Sequence, residues 1–126
     1  MRVIDPGHLF SLHVLGIQDR DKDNSVLARF VKREGQNEVH GNSGSSPGTI
    51  LQEYWRAEIA RLKYLDKEVP HNANGMCIMN LRQCIYWLEQ RAAERHGTYF
   101  MLADISKIET LPICKTCGHI FDHSHE

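Results

Sequence analysis

Between Thr49 and His96, apolar side chains recur at intervals of three and four in two successive runs, and no other feature constrains the fold as strongly. In the first run Leu51, Tyr54, Trp55, Ile59, Leu62 and Leu65 share one face, which predicts an amphipathic helix over 49–68. In the second, Ile78, Leu81, Ile85, Leu88 and Ala92 form a stripe on a helix from about Asn74 to His96. Pro70 and the Asn72-Ala-Asn-Gly75 that follows end the first helix and reverse the chain, so the pair is expected to lie antiparallel. Thr49 with Gln52 fits a capping box, and Ser46 with Pro47 is an equally lawful start. Gly97 supplies the C-terminal stop of the second helix.

Ahead of the helices the period changes. Phe10, Leu12 and Val14 alternate within His8–Leu15, and Val26, Ala28 and Phe30 alternate within Ser25–Arg33, with a polar connection over 18–24. Residues 8–34 therefore read as a two-stranded antiparallel ribbon, which needs helices, further strands or another subunit to cover it. Residues 35–48 read as a Gly/Ser-rich loop, Thr98–Ala103 as a short strand, and 98–126 as a Cys/His-rich tail. A length of 126 residues allows one core, so the expectation is a single α+β domain: ribbon, loop, helical hairpin over 49–96, tail.

Fifteen Lys and Arg against sixteen Asp and Glu give no overall pull toward nucleic acid or membrane, so strong nucleic-acid binding is not expected and any anion site must be local. The N-terminus does not read as a signal peptide and no run is long enough to span a bilayer, which makes the cytoplasm the expected address. The four cysteines are then expected to be reduced or metal-bound.

Two stretches carry possible chemistry. Cys114-Lys-Thr-Cys117-Gly-His119, followed by His123 and His125, has the spacing with which two thiolates grip a tetrahedral ion from a tight turn; Cys114, Cys117, His119 and His123 are the candidate ligands of a structural zinc, against a plain tail with free thiols. Gly41–Thr49 is rich in glycine and serine and feeds a helix N-terminus, which suits phosphate, although it lacks the Walker lysine and the dinucleotide glycine pattern. Lys32 and Arg33 precede this loop, Arg56 lies on the first helix, and Arg91 and Arg95 share a face of the second. Each is, taken singly, a surface cation beside a glutamate such as Glu58, Glu89 or Glu94. Tyr54, Trp55, Tyr86 and Trp87 offer packing or a stacking surface. Cys77 and Cys84 are expected to be buried and free. No nucleophile and base stand at a suggestive spacing, so the chain is not expected to be an enzyme.

Phe30-Val-Lys-Arg-Glu-Gly35, Gly41-Asn42, Pro47-Gly-Thr49, Gln52-Glu53 with Arg56, Arg61-Leu-Lys-Tyr-Leu65, Leu81-Arg82 and Leu88-Glu-Gln-Arg-Ala-Ala-Glu-Arg-His-Gly97 together resemble the phage Thoeris anti-defence protein 1 family. The resemblance spans residues 8–97 and implies a sponge, similar in shape to anti-CBASS sponges, that sequesters a cyclic ADP-ribose isomer without cleaving it. It further implies a homo-oligomer, as dimers or a hexamer, that also holds cyclic di- or trinucleotides, acting in the cytoplasm of an infected bacterium. By position it puts Lys32, Arg33, Asn42, Gly44, Thr49, Arg56, Arg91 and Arg95 at the ligand. The Gly/Ser-rich loop and the cysteine tail depart from the family pattern. Two rival readings stand beside it: a small zinc-binding nucleic-acid or protein adaptor, and a metal-dependent hydrolase using Asp104, Glu109 or Asp122.

Overall fold

The computed structural model describes residues 1–16, 26–32 and 47–121. They fall into two compact units, residues 1–49 and 50–121 apart from the segments just excluded. The order of elements is strands β1 (Arg2–Asp5), β2 (Leu9–Leu12) and β3 (Val26–Arg29), helices α1 (Leu51–Glu68) and α2 (Asn72–Arg95), and a 3-10 helix over Ile105–Thr110. This is the expected α+β architecture: an antiparallel sheet, a two-helix bundle and a short Cys/His-containing tail.

The sheet has three strands in the order β1-β2-β3 rather than two. Its first turn is written in Asp5-Pro-Gly-His8: the His8 N–H donates to the Asp5 carbonyl at 2.9 Å and Gly7 takes φ +78°, the pattern of a turn with proline then glycine at its centre. The register slips between Val3 and Asp5, which accommodates that turn at the hairpin end. Phe10 pairs with Ala28, the buried residue of β3, and the Phe10 and Phe30 rings meet edge to face with centroids 6.0 Å apart. Thr49 does not cap α1. Its N–H donates to the Arg29 carbonyl at 3.1 Å and its carbonyl accepts from Val31 N–H at 3.0 Å, so it forms a parallel bridge beside Phe30, and α1 starts after Ile50 with no side-chain cap.

Only glycine lets the chain reach that bridge. A Cβ on Gly48 would stand 2.5 Å from Val31 N and 2.7 Å from the Phe30 carbonyl oxygen. Gly48→Ala is therefore expected to cost about 1–2 kcal/mol by forcing backbone apart. Hydrogen exchange at the Val31 amide checks it: the exchange rate rises if the bridge is lost and stays put if the contact relaxes harmlessly.

In the helical unit the core is Ile59, Ile78, Ile85, Ala92, Ala93, Phe100, Ile108 and Phe121. The α2 stripe is close to the one expected, with Ile78, Ile85 and Ala92 buried, but Glu89 takes the inward place between Ile85 and Ala92. The reversal is fixed by Asp66, whose Oδ1 accepts from His71 N–H and from Asn74 Nδ2, both at 3.1 Å. His71 caps α2 by accepting from Ala73 N–H at 2.9 Å. At the other end Gly97 at φ +74° allows Thr98 N–H and Gly97 N–H to reach the carbonyls of Ala93 and Glu94, the Schellman arrangement. Residues 98–103 form no strand; Phe100 is instead packed into the core from an irregular segment. No helix among the described residues is long and apolar enough to cross a membrane.

Candidate functional site

In the sheet unit a hollow of about 220 Å³ lies under the β1–β2 turn, lined by Asp5, His8, Leu9, Arg29, Phe30, Lys32 and Pro47. The meander builds it: His8 N–H is tied to Asp5, and the His8 carbonyl accepts from Phe30 N–H at 2.7 Å, which sets turn and third strand side by side. Lys32 Nζ stands 3.2 Å from Asp5 Oδ2, with both side chains partly exposed. His8 Nδ1 donates to the Pro6 carbonyl at 3.0 Å, which fixes the ring. The lining thus brings the Lys32–Asp5 pair, Arg29 and His8 together with the Phe30 ring, and includes Pro47, where the Gly/Ser-rich stretch ends. Of the expected ligand residues, Lys32 lines it and Thr49 is bridged to the neighbouring backbone; Arg33, Asn42 and Gly44 lie outside the described residues.

The helical unit holds the other expected residues. Arg91 is exposed and Arg95 half-buried, one turn apart on α2. Arg56 is committed inward: Nη1 donates to Glu53 Oε2 at 3.0 Å, Nη2 donates to the Gly118 carbonyl at 3.3 Å and stands 3.7 Å from Glu89 Oε1. Glu89, read from sequence as a surface partner, is fully buried. Its Oε2 accepts from Ile120 N–H at 3.0 Å and lies 3.3 Å from His119 Nδ1, which is also 3.4 Å from the buried Gln52 amide. Arg56, Gln52, Glu89 and His119 thus form an internal polar nest that fastens the tail to both helices. Sequence reasoning missed it because a glutamate flanked by Arg91 on a helix looks solvated; its place four residues after Ile85 and three before Ala92 was the available signal.

The zinc expectation is overturned by this nest. Among the described residues no three His, Cys, Asp or Glu side chains converge as a metal set. His119 is turned toward Glu89 and Gln52 and stacked near Phe121, with centroids 5.4 Å apart, rather than grouped with both sulfurs. Burial, with smaller contributions from Cys114 and Glu89, pushes the Cys117 thiol up to about 11. Cys114 and Cys117 are close in the turn but are two donors, and His123 lies outside the described residues. The adaptor reading loses its metal with them. Cys77 and Cys84 are exposed, not buried as expected.

The hydrolase residues are likewise engaged. Asp104 caps the 3-10 helix by accepting from Ser106 N–H at 2.9 Å, and the Ser106 hydroxyl together with this N–H holds its carboxyl below the usual range. Glu109 accepts from Arg82 Nε and Nη2 at 2.8 and 2.7 Å and pairs with Lys63 at 2.6 Å. Burial pulls its pKa upward, but these hydrogen bonds outweigh it and bring it down to about 2. Asp122 lies outside the described residues. An open apolar groove of about 640 Å³ runs along α1 and α2 between Tyr54, Arg61, Leu62, Cys77 and Leu81. The chain matches no family model, no curated protein and no solved structure.

Proposed function

We propose that the chain is a binding protein that takes up a cyclic, phosphate-bearing nucleotide and holds it uncleaved: a cyclic ADP-ribose isomer first, with cyclic di- or trinucleotides as further ligands. The observation that supports this reading is the sheet-unit hollow, whose lining brings Lys32 and Arg29 together with the Phe30 ring. Two cations suit a phosphate and the ring suits a sugar or base edge. The resemblance to the Thoeris anti-defence proteins points the same way. In this reading the protein works as a phage sponge in the cytoplasm of an infected bacterium and blocks Thoeris-type immunity. A hollow of about 220 Å³ takes a phosphate with its sugar rather than a whole cyclic dinucleotide, so a homo-oligomer, as dimers or a hexamer, supplies the remaining contacts. A sponge needs affinity and no reactive group, and no membrane is involved.

Lys32→Glu tests the site. Losing one charge-assisted contact and placing a carboxylate against phosphate is expected to weaken uptake of a cyclic ADP-ribose isomer at least tenfold. The melting temperature should hold, because the Lys32–Asp5 pair is partly exposed and such pairs contribute little. Unchanged affinity in a folded variant would place the site elsewhere.

A further inference from the structure

The binding reading does not use the two cysteines of the tail, and the structure treats them unlike each other. The turn that carries them is closed by Gly118 N–H donating to the Cys114 carbonyl at 2.8 Å and by Cys114 N–H donating to the His119 carbonyl at 2.9 Å. Gly118 takes φ +78° to complete it. A turn of this kind holds Cα atoms three residues apart within about 7 Å, a span that a disulfide bridges. Cys114 is half-buried at the surface end, and the Thr116 N–H points at its sulfur from 3.4 Å. Cys117 is 3% exposed and faces the interior.

We infer that Cys114 and Cys117 are a dithiol–disulfide pair that exchanges with the disulfide of a low-molecular-weight thiol, Cys114 attacking and Cys117 resolving. The amide hydrogen bond from Cys117, helped by Thr116, favours the Cys114 thiolate and draws its pKa below the ordinary value, as the attacking sulfur requires. Burial keeps Cys117 a thiol until it is needed. The Cys114 thiolate attacks one sulfur of R–S–S–R, a Cys114–S–S–R bond forms, and the first thiolate RS⁻ leaves. That thiolate takes the Cys117 proton. The nearby negative charge on Cys114, which opposed ionisation of Cys117, is gone in the mixed disulfide, so Cys117 ionises more readily than before. It attacks Cys114 Sγ, the bond to R breaks, and the second RS⁻ leaves to pick up the proton that Cys114 released. Two electrons pass from the dithiol to the external disulfide, which ends as two thiols. The exchange is stoichiometric and is separate from uptake of a nucleotide in the sheet unit.

The test uses the full chain with the exposed Cys77 and Cys84 both changed to serine, so that only the tail sulfurs react. The reduced protein is incubated with oxidised glutathione, quenched in acid, alkylated and weighed by mass spectrometry. The expected product has lost both remaining thiols together and carries no glutathione. Adding Cys117→Ser should stop the reaction at a single glutathione adduct on Cys114, and adding Cys114→Ser should slow it at least tenfold. The inference is overturned if both thiols stay alkylatable in the parent, if the parent accumulates a stable glutathione adduct, or if the two serine variants react alike. The parent measurement decides by itself should either added serine unfold the tail.

Discussion

Glu89→Ala is expected to lower the free energy of unfolding by about 3–5 kcal/mol, the largest single effect of any substitution considered. The side chain is fully buried, so the loss is not one of surface charge. Removing it leaves Arg56 Nη2 without its carboxylate, the His119 ring without its neighbouring carboxylate, and the Ile120 N–H buried with nothing to accept it. Each of those groups then carries its own desolvation cost. For a chain of this size the melting temperature should fall by about 10–20 °C. Glu89→Gln keeps an acceptor for Ile120 and should lose less. Thermal denaturation followed by circular dichroism is the check. A change below about 0.5 kcal/mol in the alanine variant, the scale of an ordinary surface position, would mean the nest does not hold the tail to the helices. The same logic applies to Arg56, whose charge reversal should destabilise the protein before it reports on any ligand.

The second large effect is at Glu109, and it depends on pH. The carboxylate ties the 3-10 helix to Lys63 of α1 and Arg82 of α2, and its pKa falls from 4.5 to about 2 in the folded chain. A carboxylate with a depressed folded pKa stabilises the fold fully above its unfolded pKa and loses that contribution as pH falls through the folded one. The window is therefore from about pH 4.5 down to about pH 2. Glu109→Ala should cost about 2–3 kcal/mol at neutral pH, after allowance for solvent screening of the two cations. Across the acid window the wild type should lose stability more steeply than the variant, so their denaturation midpoints converge near pH 2. Parallel pH profiles would show that the fork contributes nothing.

The helical hairpin could be read because its information is periodic: Ile59, Ile78, Ile85 and Ala92 lie where a repeat of three and four puts them, and Gly97 terminates α2 as a glycine should. Strand β1 escaped because four residues are too few to show alternation, although Asp5-Pro-Gly-His8 held a usable turn signal. Thr49 has the residue type of a cap, yet a backbone bridge to β3 claimed it, a pairing that depends on distant chain. The zinc reading failed for a related reason. Spacing counts donors along the chain, whereas coordination needs them around one point, and His119 is drawn off by a glutamate thirty residues away in sequence. Glu109, read as a catalytic carboxylate, is likewise occupied by cations that no local pattern connects to it. For the candidate site, Lys32 was legible as a cation at the edge of an anion-friendly stretch, but Arg29, His8 and the Phe30 wall were not, since only the strand register gathers them.

Uptake without cleavage is tested by calorimetric titration of the purified full chain with cyclic ADP-ribose isomers and with cyclic di- and trinucleotides, with the bound compound recovered afterward by heating and identified by chromatography. Expected are tight, saturable binding of at least one of them, weakened at least tenfold by Lys32→Glu, and recovery of the same compound unchanged. Absence of binding to all of them, or recovery of a cleaved product, would contradict it.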